Sequence, residues 1–235
     1  ASARSWQPDT EILIYDTDTA PAVTAGSENG SEVDVTVSVL GVASIDASGV
    51  LTRVAASTVT RTFSLVREEG QWRINSPENM VLMSRASFTA SFSLANLYFP
   101  TTEGGDLVAD PRWYPSRRLA SHLLAGLVEG PRQSLASVTA NAIPAGTTVP
   151  SQGLDVVDGV ARVELNAVVP ATEGARANLA WELTRTLTQV ADVSQVSISL
   201  SGDVLDVQRV PVPPTYSLDT LVGAGPDGVG IVSSS

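Results

Sequence analysis

The stretch from Trp113 to Pro131 constrains the fold more than any other. Leu119, Leu123 and Leu127 recur every fourth residue, and Ala120, Leu124 and Val128 follow one position later, giving one wide apolar stripe. Residues three and four apart share a helix face, so the spacing predicts a one-sided helix over residues 116–129. Ser116, after Pro115, is expected to cap its start. Gly130 and Pro131 are expected to end it, because glycine tolerates a left-handed turn and proline cannot continue a helix.

A helix with one apolar stripe must cover something, and the residues downstream supply strands. Leu154–Val157 and Val160–Leu165 alternate apolar and polar positions around Asp158 and Gly159, a pair suited to the positive φ angles of a two-residue hairpin turn. This register sets Val156 opposite Ala161 and Leu154 opposite Val163 on the buried face, with Asp155 opposite Arg162 on the wet one. A second helix is predicted over 175–190, with Leu179, Leu183, Leu187 and Val190 on one face. Val196, Ile198 and Leu200 then alternate with polar residues as a last strand, and Ala95–Phe99 reads as the first. The predicted order is strand, helix, two strands, helix, strand, forming a sheet covered on one face.

Residues 1–92 read differently. Val33, Val35, Val37 and Val39 alternate with Asp34, Thr36 and Ser38, and a turn at Asp46–Gly49 leads to a second strand through Val59, Phe63 and Leu65. Glu69 and Gly70 turn the chain again into Trp72 and Ile74, and Ile12–Tyr15 is a further short strand. The expectation is a curved antiparallel sheet, similar to the NTF2-like domains. Such a sheet needs a layer over its apolar face, yet no helix-periodic stretch stands before residue 76, so that face is expected to be open or filled by the second domain. Residues 80–92 carry no glycine or proline linker, which predicts two domains packed together. Val210–Pro214 reads as a stiff extended connector and Gly223–Ser235 as a low-complexity tail with little structure of its own. The fold class is therefore α+β, with domains at 1–92 and 93–209 and a connector and tail over 210–235.

Charge excludes several functions. The net charge of −11 argues against nucleic acid and against an anionic membrane surface, since both need a basic footprint. No apolar run approaches the roughly 18 residues that a membrane helix requires. All fourteen cations are arginine, and cysteine is absent, so no disulfide or thiolate chemistry is available.

Motifs that carry chemistry are missing or out of context. Gly223, Gly225 and Gly228 have dinucleotide-binding spacing, but Pro226 and Gly230 break the helix that the motif must open, which leaves a flexible turn. His122 is the only imidazole and reads as a solvated residue opposite the apolar stripe. Asp16 and Asp18 begin like a calcium loop that Ala20 and Pro21 spoil, and Glu11, Glu68 and Glu69 read as solvated carboxylates. No nucleophile, base and orienting group fall together, so no catalytic, metal or cofactor site is expected. Arg112, Trp113, Tyr114, Arg117 and Arg118 do gather aromatics and cations, the residue types that carry interface energy. Trp181 lies about 160° around its helix from Leu183. Trp113 and Trp181 either cement the two domains to each other or belong to a partner surface.

The residues also carry a resemblance. Leu97–Pro100, Leu123–Pro131, Ile143–Thr147, Asp158–Leu165 and Leu183–Val190 fall in the order found in GerMN domains, a family first named from spore germination proteins. Ser5–Asp9, Thr62–Pro77, Met83–Arg85 and Val108–Pro115 resemble the LpqB family of actinobacterial lipoproteins, whose members carry an N-terminal domain, a GerMN domain and a β-propeller. The resemblance implies an NTF2-like first domain lacking its opening helices, with the signal peptide, the lipid-bearing cysteine and most or all of the propeller outside this chain. It further implies a non-catalytic, extracytoplasmic protein held to the membrane only by that lipid. Its implied partner is the extracytoplasmic domain of an MtrB-type sensor histidine kinase, through which it would modulate the MtrA/MtrB two-component system and cell-wall homeostasis. A glycan-binding or envelope-assembly module is the alternative.

Overall fold

The computed structural model describes residues 6–75, 77–149, 153–205, 220–225 and 228–233. The first half is a sheet of β1 (Glu11–Tyr15), β2 (Ala22–Ala25), β3 (Glu32–Asp46), β4 (Leu51–Glu68), β5 (Gln71–Ile74) and β6 (Val81–Ser84). Its order is β5-β4-β3-β1-β6, with β2 also on β3. Alternation builds the long β3–β4 hairpin, and its turn is closed by Asp46 Oδ1, which accepts from the amides of Ser48 and Val50 at 2.9 and 3.0 Å. The register pairs Ile45 with Leu51, Val39 with Val59 and Val35 with Phe63, so the odd-numbered residues of β3 share one face. The sheet is antiparallel as expected except at one edge, where β6 runs parallel to β1.

Two elements cover the Ile12–Ile45 end of that face. One is α1 (Arg85–Ser91), in the stretch read as the direct joint between the domains; Ser84 caps it by accepting from the Ser87 amide at 3.1 Å. It has seven residues and buries only Phe88, too short for any periodicity to show. The other is Trp113 from the following domain. Ile12, Ile14, Ala43, Ile45 and Phe88 form the buried cluster, with Phe92 and Trp113 packed against it. This end is filled jointly by a local helix and the neighbouring domain.

The second half runs β7 (Phe92–Pro100), β8 (Leu107–Pro115), α2 (Leu119–Glu129), β9 (Asp155–Val157), β10 (Val160–Leu165), α3 (Glu173–Leu187), β11 (Gln195–Leu200) and β12 (Asp203–Val204). The expected α+β order is present, with β8 inserted before the first helix. Pro111 and Pro115 disguise β8 in the sequence, but it pairs only with β7, and a strand with one partner accommodates proline. β7 and β8 form their own ribbon, while β12-β11-β10-β9 form a four-stranded sheet in which β10 and β11 are parallel. The core between them gathers Leu97, Phe99, Leu123, Leu124, Leu127, Val163, Leu165, Leu179, Leu183, Leu187 and Leu200.

The hairpin forms as its sequence dictates. Asp158 and Gly159 have φ of 52° and 77°, Val156 faces Ala161 and Asp155 faces Arg162. Leu154 does not extend the ladder to Val163, because its amide donates to Ser121 Oγ at 3.0 Å and ties it to α2 instead. Ser116 is likewise not the cap of α2. β8 continues through Pro115, and Ser116 is held to the other strand by its amide on Ser91 O and its hydroxyl 2.8 Å from that of Ser93. Arg118 takes the capping position instead, at φ 58° and without a side-chain cap bond. The predicted second helix begins two residues earlier, capped by Thr172, and ends at Leu187.

Val210–Pro214 lies outside the described residues. The tail, expected to lack structure, contains a hairpin of β13 (Thr220–Gly225) and β14 (Gly228–Ser233) in which Val222 faces Ile231. Alternation of glycine with small apolar residues gives a strand no distinctive signature, so the sequence concealed it.

Candidate functional site at the domain junction

β8 sorts the predicted surface residues onto opposite faces. Side chains of a strand alternate, so Asp110, Arg112 and Tyr114 point one way and Trp113 the other. Arg112 is therefore not a surface residue, contrary to expectation: it is 2% exposed and Asp110 is 0% exposed. Arg112 Nη2 donates to Asp110 Oδ2 at 2.8 Å and to the Gly130 carbonyl at 2.7 Å. Arg132 completes the cluster, its Nε 2.7 Å from Asp110 Oδ1 and its amide donating to Oδ2 at 3.1 Å. Burial opposes the Arg112 charge, but the hydrogen bond and charge of Asp110 help hold the guanidinium above its ordinary value. The network clamps the C-terminal end of α2, where a cation complements the helix dipole, to β8. Its role in the fold is structural.

Trp113 and Tyr114 serve different cores. The Trp113 ring sits 4.8 Å from that of Phe88 in the first domain's cluster, and its amide donates to the Gly49 carbonyl at 2.8 Å. A Cβ at Gly49 would meet the Trp113 carbonyl, so the β3–β4 turn needs glycine to approach β8 this closely. Tyr114 instead packs against the second core, its hydroxyl over Gly126. Burial pushes that hydroxyl up to about 12, with the Arg112 guanidinium opposing. The hydroxyl is shut off from solvent beside that guanidinium.

Arg117 and Arg118 are exposed beside this junction. A Cβ at Gly153 would run into Arg118 Nη2 and Ser121 Oγ, which places the Arg118 guanidinium against the start of the β9 segment. His122, expected in solvent, is half-buried with its ring centroid 6.3 Å from that of Tyr114, because Tyr114 lies across α2. Trp181 is neither a surface residue nor part of the Trp113 cluster: it is 2% exposed on α3. The face of α3 away from Leu183 is covered, and beside Trp181 the buried Glu182 accepts the Ala142 amide at 2.9 Å. Of the remaining carboxylates, Asp16 pairs with Arg85 at 2.9 Å and Glu69 occupies its turn at φ 48°. The sequence reading missed Asp110, Arg132 and Phe88. Asp110 and Arg112 at a spacing of two on a strand were the available signal, once β8 is recognised as one.

Comparison with known proteins agrees with this two-part architecture. Residues 1–89 match the family described as "Lipoprotein LpqB, N-terminal domain", and residues 96–206 match "Sporulation and spore germination". A chain that joins these two domains in this order is the class that the fold defines. The chain belongs to the LpqB lipoprotein family. It is 31% identical to Lipoprotein LpqB of Cutibacterium acnes, over 92% of this chain and 36% of that one. It is 26% identical to Lipoprotein LpqB of Bifidobacterium longum, over 95% of this chain and 41% of that one. The chain thus spans well under half the length of these curated relatives. Among solved structures, the first GerMN domain of the sporulation protein GerM from Bacillus subtilis aligns with 52% of this chain and 94% of its own, at 24% identity and a TM-score of 0.38.

Proposed function

We propose that this chain is the non-catalytic extracytoplasmic part of an LpqB-type lipoprotein that contacts the sensor domain of an MtrB-type kinase and modulates the MtrA/MtrB system. Membrane attachment is through a lipid carried elsewhere in the protein; no helix among the described residues is long and apolar enough to cross a membrane. The observation that carries this reading is the likeness to proteins named Lipoprotein LpqB over 92% of the chain. With Arg112 internal, the exposed Arg117 and Arg118 are what remain of the cationic patch on a chain of net charge −11. Two adjacent cations on an acidic protein complement an acidic loop while the rest of the surface repels it.

The test is binding of this chain to the purified sensor domain of the kinase, with and without Arg117→Ala plus Arg118→Ala. A pair central to the interface costs about 2 kcal/mol or more, whereas rim charges change mainly the association rate and its salt dependence. Undiminished binding by the double variant removes the patch from the contact. No binding at all assigns the contact to a part of the longer protein outside this chain.

One observation favours a second reading, a glycan-binding module. The uncovered side of the four-stranded sheet bears an open groove of about 660 Å³ with Ser197, Ser199, Ser201, Asn166, Arg162 and Glu164 along it, a row of groups suited to sugar hydroxyls. Retention of the chain on purified peptidoglycan, lost in a Ser197→Ala plus Ser199→Ala variant, is the result that reading expects.

A further inference from the structure

β4 is an edge strand over most of its length. Its inner side pairs with β3 over residues 51–66, whereas on its outer side β5 covers residues 65–68 alone. Next to β5 the Asn75 amide donates to the Ser64 carbonyl at 2.7 Å. Successive residues of an antiparallel strand turn their amide and carbonyl to opposite sides, so an outward Ser64 sets Thr62, Thr60 and Thr58 outward as well. Among the described residues, the outward amides of these three threonines have no acceptor. Of their carbonyls, only that of Thr60 is engaged, by Arg61 Nη1 at 3.1 Å, and it keeps a second lone pair. The free stretch is bounded on both sides. Asn75 and β5 close one end, and at the other residues 54–56 bulge opposite the single residue Val42, which bends the strand. Residues 57–63 lie between, with Thr60 at their centre. Open edges are ordinarily guarded by lysine, proline or an unpaired charge. Here residues 57–63 contain no proline, lysine is absent from the sequence, and Arg61, the one charge in the stretch, is balanced by Glu78 at 3.5 Å.

We propose that this edge pairs with the same edge of a second copy of the chain, antiparallel across a two-fold axis at Thr60. Two identical strands paired in this way make every contact twice, and the contact closes on itself. With Thr60 opposite Thr60 of the second copy, Thr58 falls opposite Thr62, and the outward groups meet as three hydrogen-bonded pairs. On the polar face each pair sets threonine against threonine, a favourable cross-strand match. Two of these hydroxyls are already held in place, Thr62 by Thr36 at 3.1 Å and Thr60 by Ser38 at 2.9 Å. On the other face Val59 meets Arg61 and Ser57 meets Phe63, so no like charges stand opposite each other. A shift of register one way drives the second strand into β5, and a shift the other way puts the bulge inside the ladder. Seven residues from each copy form a small contact, so the dimer is weak and depends on concentration. The inference is independent of the kinase reading, since it concerns this chain alone.

The sequence has no cysteine, so a single introduced thiol reports the register. Thr60→Cys puts the two thiols in one hydrogen-bonded pair, whose Cα separation of about 5.5 Å a disulfide can span. Thr62→Cys is equally exposed and on the same face, but in this register its two copies stand four residues apart along the ladder, about 13 Å. Under mild oxidation of the whole chain, Thr60→Cys is expected to form a covalent dimer at least roughly tenfold faster than Thr62→Cys. Sedimentation equilibrium of the cysteine-free protein over a dilution series is expected to show monomer and dimer in exchange. Equal cross-linking of the two variants overturns the two-fold at Thr60. A monomer at every concentration overturns the pairing itself and leaves the edge to a strand of another protein.

Discussion

Glu182 shows what one residue does to the behaviour of this fold. It is 0% exposed, one oxygen accepts the Ala142 amide, and the other has no partner among the described residues. Burial raises its carboxyl well above the ordinary value of 4.5, and the Ala142 amide opposes this without cancelling it. The native carboxyl therefore keeps its proton at pH values where the unfolded chain has released it. In that window the native state binds more protons, so stability falls as pH rises from 4.5 towards the native value. Glu182→Gln keeps an acceptor for Ala142 and cannot ionise. Its Tm is expected to exceed that of the parent at about pH 8 and to match it near pH 4, in thermal unfolding across that range. A difference that does not change with pH would show that the carboxyl does not titrate as the fold implies. Arg112 is as deeply buried, but there the cost of desolvation is offset by the hydrogen bond and charge of Asp110.

Between elements, β8 meets α2 closely where the Tyr114 hydroxyl occupies the space a Cβ at Gly126 would need. Leu97 closes the same space from β7. Glycine inside a helix normally costs about 1 kcal/mol relative to alanine, so its presence here reflects packing rather than helix preference. Gly126→Ala is expected to destabilise the protein by about 1–2 kcal/mol despite the gain in helix propensity, because overpacking costs more. Tyr114→Phe removes the buried hydroxyl and opens that space. Chemical denaturation of the two single variants and the double variant is expected to show most of the Gly126→Ala loss recovered when both changes are present. Additive losses would place the crowding elsewhere, on Leu97.

At the scale of the whole molecule, the two domains share a core. Trp113 belongs in sequence to the second domain and in packing to the first, against Phe88 and below the Gly49 turn. Removing a fully buried aromatic of this size costs about 3–5 kcal/mol, and the partly buried Trp113 is expected to cost less. Trp113→Ala removes the side chain through which unfolding of one half is felt by the other. Calorimetry of the parent is expected to show one transition, and of Trp113→Ala two, with the earlier one belonging to the sheet of β1–β6. A single transition retained in the variant, shifted by no more than a surface substitution would shift it, would mean that the halves are coupled by other contacts.

The sequence by itself determined the elements whose signals are local. The leucine stripes specified α2 and α3, and strict alternation specified β3, β10 and β11. Asp158 and Gly159 fixed their own turn and register, since a two-residue hairpin leaves no freedom in pairing. Likeness in five ordered segments indicated the GerMN domain, and likeness in four others indicated the LpqB family. What only the tertiary structure decided is the environment of single residues at junctions. Ser116 was a sound helix cap in isolation, but a strand running on through Pro115 tied it to Ser91 and Ser93. Arg112, Trp113 and Tyr114 looked like one surface patch, and recognition of β8 splits them between two cores and an internal ion cluster. Local preference is written in neighbouring residues, whereas burial depends on which distant segment arrives, and here Gly49, Phe88, Asp110 and Gly126 decided it.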